Sequence, residues 1–425
     1  MSCQSFSHLA SSGVGDTHKK KIHKLSFQNC PSINQEVQKR IAILGAGQLA
    51  KYLVGAGQKL GLEVTVVATS ASEPACQETH RTVIAEWTPE LMFQVFLEHD
   101  IVTFENEWIS DSLLSKVIAE GLLGKLLPSH ESMIKVRTKW NQKQFFLAQS
   151  YPTARAMYSK QIDLSSISKL KELLQLFPNG VVVKESELAY DGKGVFVFEK
   201  NEAEKIFGKL KKLNKDSRPW YLEEKISFAK ELSLVFSRTK KGDFTHFPLV
   251  EFESEKGICS TVFVEGKNTG LMNKLEIQAV KIARDLSGKL QWCGTAAIEF
   301  FYSDSQGLLI NEFAPRVHNS GHFSLSASRT SQFENHLRAI IGMPLGSCET
   351  APFAVMKNFL GTQESNLAIC PTSNNEVQVF WYGKKEIRPG RKMGHISAFG
   401  DLSERASLIE KVNQVVKNWQ LSTIG

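Results

Sequence analysis

Glu299 and the neighbouring pair Asn311-Glu312 are the residues through which this sequence could do chemistry. They lie on two β-forming runs, Ala296–Tyr302 and Leu308–Phe313, on either side of the polar turn Ser303–Gly307. Apolar β-formers around a Gly-containing loop of this length predict a hairpin. Folded about Ser305, the hairpin sets Glu299 opposite Asn311 or Glu312, and opposed residues on paired strands sit roughly 5 Å apart. Two carboxylates that close repel unless a cation lies between them. Such oxygen ligands, with an amide oxygen beside them, suit Mg²⁺, which takes one or two carboxylates plus substrate phosphates. The hairpin runs straight into Pro315-Arg316-Val317-His318-Asn319-Ser320-Gly321-His322, so an Arg and two His stand where an anion could sit. A plain sheet with one solvent-facing acid is the competing reading; the combination favours a nucleotide–metal site.

The rest of the chain must position these groups. Its 425 residues are too many for one ordinary domain, and a hydrophobic content of 42% is ample for real cores. No apolar run approaches the roughly 18 residues of a membrane span, so a soluble protein is expected, without a membrane partner. A formal charge of +7 is modest for this length, and no base-stacking or groove-reading pattern accompanies it, which argues against nucleic acid as a partner. Seven Cys without CxxC spacing argue for a reducing compartment and against a disulfide framework or a structural zinc. Residues 1–38 are rich in Ser, His and Lys and poor in acids, and read as a disordered basic tail. A transit peptide would be basic too, but Arg is almost absent and no amphipathic helix is evident. The cytoplasm is the expected location, with organellar import the alternative.

Order begins at Arg40. Ile41–Leu44 reads as a buried parallel strand, and Gly45, Gly47 and Ala50 match G-x-G-x-x-A at the start of a helix. The next strand, Val64–Val67, ends in Ala68-Thr69-Ser70 and lacks the acid that would hold a dinucleotide ribose. A dehydrogenase is therefore disfavoured, and a helix N-terminus facing some other phosphate remains. Asp100–Trp108 reads as another strand of this sheet, ending in Glu105 and Glu107, with Glu105 a possible ligand reader at a strand's carboxyl end. A helical stretch, His130–Ser150, follows, whose Lys and Arg could face a nucleotide or only water. Next come a β-branched strand carrying Lys184, a loop Tyr190-Asp191-Gly192-Lys193-Gly194, and a strand Val195–Phe198. Strand–Gly loop–strand is the form of a flap whose amides cover phosphates, and a Lys inside an apolar strand needs an anionic partner. A plain hairpin turning on Asp-Gly is the alternative. A strand entering Glu223-Glu224-Lys225-Ile226 and a second opening at Glu231 could meet an adenine edge and ribose hydroxyls, or be solvated charges. Gly257–Lys267 is poorly patterned. Leu275–Ser287 and Gln332–Ile341 read as helices. From about Thr350 a small β-rich part is expected: a strand Val377–Tyr382, a basic loop Gly383–His395 whose Lys384, Arg391 and Lys392 could reach an anion, and a final helix Glu404–Trp419.

Taken together, G-x-G-x-x-A, the Lys strand with its YDGKG loop, the EEKI segment with a later Glu, and the E…NE hairpin resemble the ATP-grasp superfamily. INEFAPRVHNSGH and RPGRKMGH are more specific, and resemble the N5-carboxyaminoimidazole ribonucleotide synthetase family from about Arg40 to the C-terminus. The resemblance implies an α/β (α+β) protein: a Rossmann-like preATP-grasp domain (39–127), an ATP-grasp domain (128–349) and a small C-terminal β-rich domain (350–425). It implies a homodimer acting on small molecules, with MgATP and bicarbonate used to carboxylate the amine of 5-aminoimidazole ribonucleotide. By the same resemblance Lys139, Lys184 and Tyr190–Gly194 would hold ATP phosphates. Glu223, Glu224, Lys225 and Ile226 would lie at the adenine and Glu231 at the ribose. Glu299 and Glu312 would bind Mg²⁺, with Asn311 beside them. Gln48, Leu49, Glu105, Asp191, His322 and Arg391 would contact the aminoimidazole ribonucleotide. Arg316, His318 and Lys384 would line the place where its phosphate and carboxyphosphate lie.

The sequence departs from that family at three motif positions, and the segment after the third lacks the family's usual Pro-Ala pattern. Leu188-Ala189 replaces the Gly-Gly before YDGKG, Lys139 stands where an Arg is expected, and Glu251-Phe252-Glu253-Ser254 replaces E-N-x-H. Another ATP-grasp carboxylate–amine ligase acting on a related ribonucleotide, or a member that binds without turning over, are the alternatives these changes leave open.

Overall fold

The computed structural model describes residues 39–187, 194–363, 370–371 and 376–422. The basic segment 1–38 and the loop residues Leu188–Lys193 lie outside the described residues.

The N-terminal part consists of β1 (Arg40–Leu44), α1 (Gln48–Lys59), β2 (Glu63–Ala68), β3 (Thr82–Ile84), α2 (Pro89–Glu98) and β4 (Ile101–Phe104). Ile41, Ala42, Ile43 and Leu44 are all fully buried, as a strand covered on both faces requires. The parallel order is β3-β2-β1-β4. The order reverses between β1 and β4, so the crevice beyond their carboxyl ends is where an open sheet of this kind takes a ligand.

After α3 (Ser115–Ala119), the predicted helix His130–Ser150 is split into α4 (His130–Ile134) and α5 (Lys139–Ala148). Thr138 restarts the helix: its hydroxyl accepts from the Asn141 amide at 3.1 Å, as an N-cap does. A small antiparallel sheet follows, built from β5 (Ala156–Tyr158), β6 (Val181–Glu185), β7 (Val195–Phe198) and β8 (Trp220–Glu224) in the order β5-β8-β6-β7, with α6 (Ile167–Leu173) and α7 (Ala203–Lys215) packed beside it.

The remaining strands share one large sheet. They are β9 (Lys230–Arg238), β10 (Phe244–His246), β11 (Val250–Glu255), β12 (Ile258–Glu265), β13 (Gly294–Ser303), β14 (Gly307–Ala314), β15 (Phe353–Leu360), β16 (Gln378–Trp381) and β17 (Lys392–Gly400). The order is β14-β13-β9-β11-β12-β15-β17-β16, with β10 on β9. Helices α8 (Gly270–Lys289), α9 (Ser324–Ala327), α10 (Gln332–Ile341) and α11 (Arg405–Ser422) pack against it. Strand β12 falls where the sequence is poorly patterned, because Ser260 and Thr261 are buried within it and interrupt the apolar alternation. The basic loop expected to run to His395 already becomes strand at Lys392.

Five strand steps separate β13 from β17, about 24 Å in a flat sheet. Lys392 on β17 nevertheless acts electrostatically on Glu299 of β13. The sheet is therefore curled, and its concave face gathers distant segments. Register shifts at Glu253/Ser254, Glu299/Phe300 and Phe359/Leu360 mark the bulges that bend it.

Candidate active site

The predicted hairpin forms as β13–β14, and Glu299 pairs with Glu312. The next pair is Phe300 with Ile310, so Asn311 is the extra residue of a bulge. Strand neighbours ordinarily point to opposite faces. The bulge re-aims this pair, and both Asn311 and Glu312 line one cavity of about 890 Å³. Burial, and then the charge of Glu312, push the Glu299 carboxyl up to about 8. Burial acts on Glu312 as well, but Lys139 outweighs it and holds Glu312 below the usual carboxylate range. Among the described residues there is no cluster of three or more His, Cys, Asp or Glu that could hold a metal ion. Two carboxylates that cannot both ionise unaided fit a cation whose remaining ligands come from phosphates and water.

The cavity's cations are anchored by named partners. Lys139 opens α5 and pairs with Glu312; a Lys at a helix N-terminus is electrostatically unfavourable without such an anion. Lys184 on β6 meets Asn311 Oδ1 at 3.2 Å and pairs with Glu223 on β8. Glu223 pairs also with Lys143 of α5. Burial opposes its charge, yet the two ammonium groups prevail and set its carboxyl at about 2. Glu223 lines the cavity with Glu224, Lys225 and Ile226, while its carboxylate is engaged in holding Lys184 and Lys143. Lys143 was missed, although its place one turn after Lys139 puts both on one face of the helix. Gln142, also missed, exchanges two hydrogen bonds with the backbone of Phe313, at 3.0 and 2.8 Å, and so fixes the free edge of β14 to α5.

The G-x-G-x-x-A turn holds an anion, but it is a carboxylate of the chain itself. Strand β4 stops at Phe104, short of the predicted Trp108, and Glu105 accepts from the amides of Gly47 at 2.7 Å and Ala50 at 3.1 Å. The expected helix N-terminus facing a phosphate is therefore already occupied. Burial raises the Glu105 carboxyl despite those two amides. The glycines are needed for this close approach, since a Cβ on Gly47 would lie 2.6 Å from Glu105 Oε1. Gly47→Ala is expected to lower stability by about 1–3 kcal/mol in urea unfolding. Gly55→Ala on the same helix, where a Cβ meets nothing within 4 Å, is the matched control.

Gln48, Leu49, Lys225, Ile226, Glu224, Glu231, Arg316, His318, Lys384 and Arg391 all line the cavity. Phe228 stacks on Phe301 at 4.4 Å and makes an apolar plate beside Ile226. Burial raises Glu231, which bonds with Ser254. Arg316 Nε donates to Glu107 at 2.8 Å, and Lys384 Nζ to the carbonyl of Lys392 at 2.8 Å. His318 Nε2 stands 3.5 Å from Glu299 Oε1. Gly194 is described, with φ +71, but Tyr190, Asp191, Gly192 and Lys193 lie outside the described residues. His322 is a correction: it is wholly buried, away from the cavity, with its imidazole held down to about 3 by burial.

A small sheet presenting Lys184 over a curled sheet that presents two acids, joined to a parallel N-terminal sheet, defines an ATP-grasp protein. Residues 148–333 match the model of the ATP-grasp domain, 38–134 that of the ribonucleotide synthetase preATP-grasp domain, and 354–408 that of the phosphoribosylaminoimidazole carboxylase C-terminal domain. An N5-carboxyaminoimidazole ribonucleotide synthase of Saccharolobus solfataricus is 36% identical over 379 residues, covering 89% of this chain and 96% of that one. Among solved structures, carboxyaminoimidazole ribonucleotide synthase from Aspergillus clavatus complexed with ATP aligns with a TM-score of 0.78 at 26% identity, covering 90% of this chain and 99% of that one. The same fungal enzyme in complex with ADP and 5-aminoimidazole ribonucleotide aligns with a TM-score of 0.76 at 25% identity, over 89% and 99%. The chain belongs to the N5-carboxyaminoimidazole ribonucleotide synthase family.

Proposed function

We propose that this protein is a ligase that carboxylates the amine of 5-aminoimidazole ribonucleotide, in purine biosynthesis, using ATP and bicarbonate. The observation that carries the reading is the convergence, in one cavity, of the Glu299–Glu312 pair with Lys139 and Lys184 on one side and Arg316, His318, Lys384 and Arg391 on the other. The first group suits a nucleoside triphosphate and the second an anionic acceptor.

Bicarbonate is a poor electrophile; transfer of the γ-phosphoryl group to it gives carboxyphosphate and ADP, and the acceptor amine captures the carboxyl carbon of carboxyphosphate, or the CO₂ it releases, as phosphate leaves and the amine gives up a proton. Little covalent work falls to the protein; it positions groups and neutralises charge. Lys139 and Lys184 counter phosphate charge, and Glu223 with Lys143 keeps Lys184 in place. Ile226 with the Phe228–Phe301 plate offers an apolar bed for a base, and Glu231 an acceptor for ribose hydroxyls. Gln48 and Leu49 border the acceptor's end of the cavity, with Arg316 and Arg391 for its phosphate. Glu299 and Glu312 would hold Mg²⁺, which supplies neutralisation of the charge gathering on the phosphoryl oxygens. The acceptor amine must be neutral to attack, and His318 and the cavity's carboxylates are the groups that could take its proton.

The test is ADP release from MgATP and bicarbonate, with and without 5-aminoimidazole ribonucleotide. Release is expected to depend on the ribonucleotide. Its absence in a preparation that binds ATP would point to a binding-only protein or to another acceptor.

A further inference from the structure

We propose that Gln332 is a positioning residue, whose buried carboxamide clamps the backbone of His318 on both sides and thereby sets where the His318 ring meets Glu299. The inference rests on the proposed function for its consequence, but not for its geometry.

Gln332 is the first residue of α10 and is wholly buried. The His318 amide donates to Gln332 Oε1 at 2.8 Å. Gln332 Nε2 donates to the His318 carbonyl at 2.6 Å and lies 3.1 Å from His322 Nδ1. Chemistry decides which end of the carboxamide is which. A backbone N–H can only donate, so the atom facing it is the oxygen. The amino group then faces the His318 carbonyl and His322 Nδ1, and both must accept. His322 Nδ1 therefore carries a lone pair, and the ring's single proton is on Nε2. Deep burial keeps that imidazole neutral.

The clamp is itself fixed on all sides. The Gln332 amide donates to Ser324 Oγ at 3.0 Å, and its carbonyl accepts from Thr295 Oγ1 at 3.1 Å. Gly321 makes room for it, since a Cβ there would lie 2.7 Å from Gln332 Oε1. The His318 ring is held separately: Nδ1 meets Ser320 Oγ at 2.9 Å, and Ser320 Oγ meets Ser233 Oγ at 2.7 Å. With backbone and ring both constrained, Nε2 is left aimed at Glu299, 3.5 Å away. An active-site group displaced by about 1 Å can cost on the order of a hundredfold in rate, which makes a buried clamp of this kind a rate determinant without contact to substrate.

Two measurements test this. In the full-length protein labelled with ¹⁵N-histidine, with the signal assigned through His322→Asn, His322 should be the neutral Nε2–H tautomer; an Nδ1–H tautomer overturns the clamp. Gln332→Glu keeps the shape but offers at most one hydrogen where the carboxamide offers two. Its kcat for ribonucleotide-dependent ADP release should fall about tenfold or more, with the KM for ATP within about twofold of the parent. An unchanged kcat, or a loss that only tracks the folded fraction seen by circular dichroism, overturns the positioning role. If the parent protein shows no ribonucleotide-dependent release, the functional reading has failed, and the tautomer still decides the clamp.

Discussion

Glu312→Ala is expected to reduce ribonucleotide-dependent ADP release by about three orders of magnitude while the protein still folds. Removing one preorganised charge-stabilising group commonly costs a hundredfold to a thousandfold, and here the loss is double. One of two carboxylates for the cation disappears, and Lys139 loses the partner that holds it at the mouth of α5. Folding should survive because the Glu312 side chain faces the cavity and the β13–β14 ladder is made by backbone. A second signature separates this from general damage. Glu299 ordinarily ionises near 4.3 in an unfolded chain, but in the fold it holds its proton to about 8. Between those values folding takes up a proton, so Glu299 makes the ligand-free protein less stable as pH rises. Deleting Glu312 removes one cause of the upward shift and should weaken that dependence in thermal melts from pH 5 to 8. Unfolding of the variant at neutral pH would make Glu312 structural.

The other large effect lies beneath the cavity. Glu223→Gln leaves Lys143 without its carboxylate and Lys184 with only the more distant charge of Glu312, in a nearly dry setting where Glu223 is only 3% exposed and Lys143 1%. Breaking a buried pair by removing one partner costs about 3–5 kcal/mol, and here two cations share the one acid. Urea unfolding should show a loss of that order, and nucleotide binding by calorimetry should weaken because Lys184 loses its anchor. Lys143→Met should cost less, since the Glu223–Lys184 pair remains. The pH behaviour follows with a definite sign. The Glu223 carboxyl is depressed to about 2, so its contribution is complete above the unfolded value near 4.3 and is lost as pH falls toward 2. The parent should lose this increment in acid and the glutamine variant should not. Equal stability of parent and variant at pH 7 would refute the triad.

Much of this was legible in the chain. The hairpin, its facing acids and the loop after it follow from alternation and a turn, and α10 runs from Gln332 to Ile341 as its capping residues predict. Ser331 caps one end, and Gly342 at φ +79 closes the other in the left-handed conformation. What escaped reading was set by tertiary contact. Nothing local tells that Glu105 returns to Gly47 across 58 positions, or that Glu223 near the end of β8 turns toward α5. His322 reads like His318 because both follow the same strand end; only the fold reveals that one lines the cavity and the other braces α10. Buried polar residues caused the remaining errors, since Ser260 and Thr261 disguise β12 as loop.

The three bulges of the large sheet carry a consequence for how such a protein diversifies. Because curvature, not proximity in sequence, brings the basic end of the sheet to its acidic end, the width of the cavity between them depends on backbone irregularities at Glu253/Ser254, Glu299/Phe300 and Phe359/Leu360. A one-residue insertion or deletion at Phe359/Leu360, between β15 and β17, would alter that curvature without touching the strands that carry Glu299, Glu312 and Lys184. The shape of the cavity's basic end can thereby change while the acids and lysines at its other end stay where they are.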